Sequence, residues 1–228
     1  MAPRTRRWQW SALILAAAVL GAGCNPLTAM FFLFPGKDPG IPPKCKLASD
    51  DKEKEVKVLV LTYAPLETRP EFLRVDYEIS HLLTQKLQAA HKEKKQKVTI
   101  IPTHKVEKYK DEHPNWRAQG PIDIGQHFKA DYVIVLEVDA ISLYPSNSHN
   151  LFLQGRAQIS VDAIDLNNLD HGPVLREVYT IEHPRARGPV PTSDTNLQMF
   201  RLAFLNRIAT EISWYFVPHT YKEQCMLE

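Results

Sequence analysis

The sequence predicts an α/β domain with α+β character, built on a single mixed sheet whose helices pack mainly on one face. Three observations predict it. Runs rich in Val and Leu alternate with amphipathic helical segments in the first half, which is typical of parallel βαβ units. Two later runs that alternate polar and apolar residues flank a turn, which indicates an antiparallel meander. A last amphipathic segment indicates a closing helix.

The folded domain is expected over residues 55–218, with residues 219–228 as a C-terminal tail. A length of this order suits one hydrophobic core. Residues 55–63 are rich in Val and Leu and predict a strand that is buried on both faces. Pro70 is expected to open a helix whose apolar residues recur every three or four positions. Residues 97–102 then predict the second strand.

The middle of the domain is predicted to contain a polar loop, a short helix and a third strand. Residues 103–120 form the polar loop, Pro121 begins the helix, and the apolar run 131–140 is the strand. Trp116 in the loop is a candidate partner contact, because an exposed Trp is a good interface anchor. The alternative is that Trp116 folds over the sheet edge and closes the core.

The clearest strand pattern covers residues 151–166, where apolar and polar side chains alternate. Gly155 interrupts this run at a place where a bulge could bend the strand. A turn follows, and residues 174–181 are expected to return as an antiparallel partner. Ser193 or Asp194 is expected to cap the last helix.

The N-terminus has the pattern of a secretory signal peptide. Three arginines lie within the first seven residues, and residues 11–23 carry no charge. That apolar run is too short to cross a hydrocarbon core of about 30 Å as a helix, which needs about 20 residues. A charged tip, a short apolar middle and small residues before a break are typical of a cleaved signal. We therefore expect residues 1–23 to be removed.

The end of this signal resembles the lipobox of bacterial lipoproteins. Gly21, Ala22 and Gly23 are small residues that come directly before Cys24. In lipoproteins the signal peptidase cleaves before such a cysteine, after its thiol has been diacylated. The resemblance departs at Gly21, where leucine is expected. It implies a lipid anchor on Cys24, and Asn25 in place of aspartate favours the outer membrane over the inner. The alternative is an ordinary signal peptide with an incidental cysteine.

Residues 24–54 are expected to be the lipidated anchor and a linker rich in Pro and Gly. Phe31 and Phe32 lie in an apolar run there and are candidate partner contacts. Alternatively, they lie in the bilayer interface beside the acyl chains or dock onto the domain. Removing residues 1–23 takes the formal charge from +2 to −1, which argues against nucleic acid as a partner.

The cysteines are consistent with an exported protein. If Cys24 carries lipid, Cys45 and Cys225 remain as one candidate disulfide that joins the entry of the domain to its exit. An oxidising periplasm would permit the bridge, which would stabilise by roughly 4–5 kcal/mol in the chain-entropy model. The alternative is two unpaired thiols at frayed ends.

Two short motifs resemble a periplasmic α/β domain that several bacterial envelope proteins share. In that domain a short helix ends in a small residue, an aspartate and an aromatic residue that opens a central strand, as Ala130, Asp131 and Tyr132 do here. The next hairpin carries an aspartate, a turn glycine and an apolar pair, which correspond here to Asp165, Gly172, Val174 and Leu175. The resemblance covers roughly residues 55–217 and departs at the hairpin turn, which is longer here.

The proteins with this domain include the Tol-system propeller protein, the curli-secretion channel lipoprotein and the outer-membrane lipoprotein that activates a penicillin-binding protein. Members of the group mostly bind other envelope proteins. The resemblance therefore implies a binding role and supplies no catalytic residues.

Motifs for catalysis, metal binding and cofactor binding are not found in the sequence. It contains no HExxH, CxxC, GxSxG, P-loop or GxGxxG pattern, so we expect no enzyme activity, metal or cofactor. Glu137 and Asp139 lie two apart on a predicted strand and would share a face, which would suit paired carboxylates. A solvated strand face is the alternative for that pair.

The sequence thus predicts a membrane-anchored periplasmic lipoprotein that acts as a non-catalytic binding or assembly module and presents one edge or loop face to another envelope protein. One alternative is an oligomeric, channel-type subunit that associates with copies of itself. A second is a hydrolase that uses Glu137, Asp139 and loop histidines.

Overall fold

A five-stranded mixed sheet forms the centre of the structure, a computed structural model that describes residues 40–49, 54–64, 70–185 and 188–226. The predicted signal peptide, Cys24, Phe31 and Phe32 lie outside the described residues. Within those ranges, no helix is long and apolar enough to cross a membrane.

The strands are β1 (Gly40–Ile41), β2 (Val56–Tyr63), β3 (Val98–Ile100), β4 (Tyr132–Ser142), β5 (Phe152–Leu153), β6 (Gly155–Asp165), β7 (Leu175–His183), β8 (Val190–Pro191) and β9 (His219–Thr220). The α-helices are α1 (Val75–Glu93), α2 (Thr103–Glu112), α3 (Pro121–His127), α4 (Leu197–Ser213) and α5 (Tyr221–Met226).

The sheet has the strand order β3-β2-β4-β6-β7. Strand β2 pairs in parallel with both β3 and β4, whereas β4 with β6 and β6 with β7 are antiparallel. The predicted fold class is confirmed: early parallel βαβ units are followed by an antiparallel meander in one mixed sheet. Two short ribbons, β1–β9 and β5–β8, lie outside the main sheet.

The two long helices cover one whole face of the sheet. Helices α1 and α4 lie side by side: the Arg201 guanidinium pairs with Glu78 near their N-terminal ends, and Lys94 Nζ donates to Pro218 O beyond their C-terminal ends. The two helices therefore run in the same direction. Their apolar stripes bury side chains such as Ile79, Leu83 and Phe204, and each such side chain contributes about 1.5–3 kcal/mol relative to exposure.

Only part of the opposite face is covered. A second apolar cluster packs α2, α3 and the 3-10 turn Trp116–Ala118 against β2 and β4, and it includes Leu59, Leu61, Val106, Tyr109, Trp116, Ile124 and Val133. Polar side chains of β6 and β7 continue the same face beyond this cluster, so the β6–β7 half of that face is open.

Helix α2 occupies a stretch that the sequence predicted as a loop. Pro102 is extended at the N-cap, and the first helical turn begins directly after it. The buried stripe of the helix has only Thr103, Val106, Tyr109 and Lys110, two of them polar, so the apolar periodicity is too weak to indicate a helix.

Three local expectations are corrected. The predicted strand 151–166 divides into β5 and β6, and the bulge lies in the neighbouring strand, between Val138 and Ala140, not at Gly155. Gly155 instead allows the close approach of the Phe204 ring, which would lie 2.7 Å from an added Cβ. Helix α4 is capped by Asn196, whose side-chain oxygen accepts from Met199 N at 3.0 Å, not by Ser193 or Asp194.

Candidate partner-binding site

Strand β7 forms one edge of the main sheet. Its nine residues pair with β6 on one side, and no other strand in the described part of the chain pairs with the outer side. The strand contains neither Pro nor Lys, residues that proteins use to protect an exposed edge. Its outer side therefore offers backbone donors and acceptors to an added strand.

Two ion pairs neutralise the charges that flank Val178 on the open half-face beside this edge. Arg176 donates from Nη2 to Asp162 Oδ2 at 2.9 Å, and Arg156 Nε lies 3.1 Å from Glu182 Oε1. Each pair joins β6 to β7. Between the two pairs Val178 stands 59% exposed, so an approaching partner meets an apolar side chain with neutralised charges on both sides.

Two pockets lie beside the C-terminal half of β7. The open-face pocket has a volume of about 620 Å³ and is lined by residues that include Ser142, Arg156, Gln158, Thr180 and Arg185. The edge pocket has a volume of about 450 Å³ and lies between β7, the C-terminal end of α4 and the β1–β9 ribbon, where Lys44, Val178, Arg185, Glu211, Trp214 and His219 line it. Arg185 and Thr180 line both pockets.

A buried charge cluster fixes α4 against β7 beneath the edge pocket. The Glu211 carboxylate, 8% exposed, accepts from Arg207 Nε at 2.8 Å, Arg185 Nη2 at 3.0 Å and Tyr179 Oη at 3.1 Å. Burial, and then the Glu211 charge, raises the pKa of Tyr179, which keeps its hydroxyl protonated as a donor. Burial, and then the Arg207 charge, lowers the pKa of His183, which favours the neutral imidazole.

Sequence reasoning did not identify this cluster. Arg207 and Glu211 are four residues apart on α4, beside the apolar stripe that contains Phe204 and Ile208. The sequence did contain one signal for it, which is that charged residues lie on the core side of a predicted helix. Such residues are rarely buried unless they are paired, so they indicate a buried ion pair. The partner Arg185 comes from a loop that the sequence does not connect to the helix.

The structure places Trp116 inside the domain, which corrects its assignment as a partner contact. The side chain is 7% exposed, and its ring lies 5.1 Å from the Tyr63 ring. Lys110 Nζ and the Arg117 guanidinium lie 4.6 Å and 5.0 Å from the Trp116 ring centroid. Its burial agrees with the alternative of a Trp that closes the core, but Trp116 packs against the inner strands β2 and β4 and not over the sheet edge.

The predicted disulfide is not formed in the structure. Cys45 and Cys225 are both free thiols. Cys45 is buried, and its backbone N–H donates to Tyr215 O at 2.8 Å, whereas Cys225 is exposed on α5. Burial, with a smaller effect of the Asp165 charge, raises the pKa of Cys45 to about 11.

Glu137 and Asp139 are both exposed on β4, and Asp139 Oδ2 accepts from Ser160 Oγ at 2.9 Å. Two of the histidines that the sequence places in loops have other surroundings: the ring of His113 stacks on Tyr109 at 4.2 Å, and that of His183 lies 6.1 Å from the Phe204 ring. Across the described ranges, no group of three His, Cys, Asp or Glu side chains could hold a metal ion.

No protein-family model matches the sequence, and no curated protein is significantly similar to it. Among solved structures, the PelC dodecamer from Paraburkholderia phytofirmans is similar over 78% of this chain and 96% of its own, with 12% identity and a TM-score of 0.40. Lipoprotein GNA1162 from Neisseria meningitidis is similar over 69% of this chain and 98% of its own, with 14% identity and a TM-score of 0.39.

A protein from Xanthomonas campestris is similar over 77% of this chain and 92% of its own, with 10% identity and a TM-score of 0.43. All three TM-scores are below 0.5, so the function of this chain is inferred from its own sequence and structure and not from these proteins. The resemblance to the Tol propeller domain and to the penicillin-binding-protein activator remains a prediction.

Proposed function

We propose that this chain is a lipid-anchored, non-catalytic binding module of the bacterial cell envelope, and that it presents the outer edge of β7 to an extended segment of another envelope protein. The unpaired edge beside an open half-face is the observation that carries the proposal. The lipobox-like sequence before Cys24 supports the anchor and the compartment.

An added strand would gain both affinity and specificity at this edge. Backbone hydrogen bonds contribute about 0.5–1.5 kcal/mol each, and pockets beside the edge select the side chains of the incoming strand. The hydrogen bond from Tyr179 to Glu211 holds the middle of β7 against α4. A strand held in this way loses little conformational freedom on binding.

Photo-crosslinking in the native membrane tests the binding edge. A photoreactive residue replaces Val178, 59% exposed on the open face, and a matched control replaces Leu169, 41% exposed in the turn before β7. We expect the Val178 probe to form a specific adduct with an envelope protein, identified by mass spectrometry, and the Leu169 probe to form none with it. Identical adduct patterns at the two positions would refute the proposal.

The anchor is tested on the same preparation. Mass analysis of the membrane fraction should find a chain that begins at Cys24 and carries fatty acyl groups. In a Cys24→Ser variant we expect the chain to leave the membrane fraction and the adduct at Val178 to be lost. An intact N-terminus without acyl mass would remove the lipoprotein assignment. An adduct formed only between copies of this chain would favour the self-assembling alternative.

A further inference from the structure

The edge pocket combines cationic and aromatic side chains beside the outer edge of β7. Val178 and Thr180 line it from the strand, and Arg185 lines it from the loop that follows. Trp214 stacks on the His219 ring at 4.5 Å and forms part of the opposite wall. A strand added to β7 would therefore direct alternate side chains towards this pocket and the others towards the open half-face.

The charges around the pocket do not balance. Lys44 pairs with Glu177 at 2.8 Å, while Arg185 and Arg207 share the single carboxylate of Glu211. Two guanidinium groups thus share one carboxylate, and of the two arginines Arg185 is the one that lines the pocket. Arg207 is 3% exposed, and its Nη2 has no acceptor in the described part of the chain. Arg207 does not line the pocket, so an anion there would act on the cluster through Arg185, which would then no longer depend on the carboxylate that it shares with Arg207.

Glu223 lies beside His219, where its charge acts on that ring, and it does not line the pocket. Burial is the main cause that lowers the pKa of both His183 and His219, so both rings are neutral near pH 7. Burial raises the pKa of Tyr215, whose ring lies 4.7 Å from Lys44 Nζ. Neither the histidines nor the tyrosine supplies the missing negative charge.

We infer that the edge pocket binds the carboxylate of an aspartate or glutamate on the extended segment that pairs with β7. The inference rests on the proposed function and names the chemistry of its partner: an extended segment with an acidic side chain facing the pocket. Arg185 is the residue that bridges the ligand and the buried cluster, because it lines the pocket and also donates to Glu211. Lys44 adds a more exposed positive charge at the entrance.

Two synthetic peptides test the inference on the full chain in detergent micelles. The acidic probe is an acetylated and amidated nonapeptide, Ser-Thr-Val-Thr-Glu-Thr-Val-Thr-Ser, and its control has Gln in place of the central Glu. We expect the acidic peptide to bind about tenfold more tightly, as measured by fluorescence anisotropy of labelled peptide, since hydrogen bonds to charged groups are the stronger ones. The preference should decrease as salt rises.

Three variants test whether the preference for the acidic peptide depends on the edge pocket. Arg185→Gln should abolish it while the fold remains, because Glu211 retains Arg207 and Tyr179 as donors. Arg156→Gln is the matched control: it removes an arginine paired with Glu182 on the open face and should retain the preference. Lys44→Gln, an independent change at a half-exposed position, should reduce it by a smaller factor.

Three results would each overturn the inference. They are equal affinity for the two peptides, no binding of either peptide, and a preference for the acidic peptide that persists in Arg185→Gln. The proposed function fails separately, when the photoreactive residue at Val178 finds no envelope partner. A partner captured at Val178 together with equal peptide affinities would thus retain the binding edge and remove the acidic ligand.

Discussion

The close contact between Gly155 and Phe204 in the core predicts the effect of one added methyl group. In Gly155→Ala the new Cβ would lie 2.7 Å from Cγ and Cδ2 of Phe204 and 2.9 Å from its Cε2, closer than carbon atoms approach in proteins. Phe204 is fully buried and has the His183 ring beside it, so the phenyl ring cannot move towards solvent. Overpacking of this kind destabilises by about 1–3 kcal/mol.

Urea unfolding followed by circular dichroism measures this change in the free energy of unfolding. We expect Gly155→Ala to lower it by about 1–3 kcal/mol, which corresponds to a decrease in melting temperature of about 2–4 °C per kcal/mol for a chain of this size. Gly40→Ala is the matched control, because the nearest atom to its added Cβ is His219 O at 3.9 Å. That variant should stay within about 0.5 kcal/mol of the parent.

A double-mutant cycle separates the clash from other effects of the methyl group. Phe204→Leu shortens the side chain and should make room for the added Cβ. The double variant should therefore be more stable than the sum of the single changes predicts, by a coupling energy of about 0.5–3 kcal/mol. Additive effects, or a Gly155→Ala variant as stable as Gly40→Ala, would refute the packing argument.

Three further predictions concern buried polar groups. Glu211→Gln should lower the free energy of unfolding by about 3–5 kcal/mol in urea, because it leaves two arginines without their anion. Burial lowers the pKa of His91 below its unfolded value near 6.5, so the unfolded chain binds more protons and stability should fall as pH drops from 7.5 to 5.5. Urea unfolding of His91→Gln at the two pH values should show a smaller fall. At pH 8, Cys225 should react at once with a thiol reagent and Cys45 only after unfolding, because burial raises the pKa of Cys45 to about 11.

Each of these three predictions can be contradicted by its own measurement. A Glu211→Gln variant as stable as the parent would show that the cluster does not contribute to stability. The same pH dependence in the parent and in His91→Gln would assign the effect to other groups. Equal reaction rates for Cys45 and Cys225 would contradict the burial of Cys45, and two thiols that react only after reduction would indicate the disulfide that the sequence predicted.

The spacing of apolar residues within single segments was sufficient to predict two of the buried strands and the first long helix. The Val-rich runs of β2 and β4 and the apolar stripe of α1 determine buried strands and a long amphipathic helix without knowledge of their neighbours. The predicted fold class followed from their order. Helix α2 was missed because Val106 and Tyr109 are the only apolar residues of its buried stripe, and its packing against β2 and β4 supplies what the periodicity lacks.

The position of β7 at the edge of the sheet could not be predicted in the same way. Strands β6 and β7 both alternate polar and apolar residues, and nothing in that alternation shows that β7 is the last strand of the sheet. Edge position is a property of the strand order, which depends on contacts between distant parts of the chain. For the same reason the sequence left open whether Trp116 is a surface contact or a core residue, and its packing against β2 and α2 places it in the core.

The buried cluster links the stability of the domain to the proposed binding edge. Burying Arg207 and Glu211 is expensive in free energy, and apolar side chains of similar size would often be as stable there. Their arrangement has a consequence that apolar residues could not reproduce: Glu211 joins α4 to Tyr179 in the middle of β7 and to Arg185 at its end. Those bonds hold the edge strand in place, and they leave one positive charge beside it that an acidic partner can neutralise.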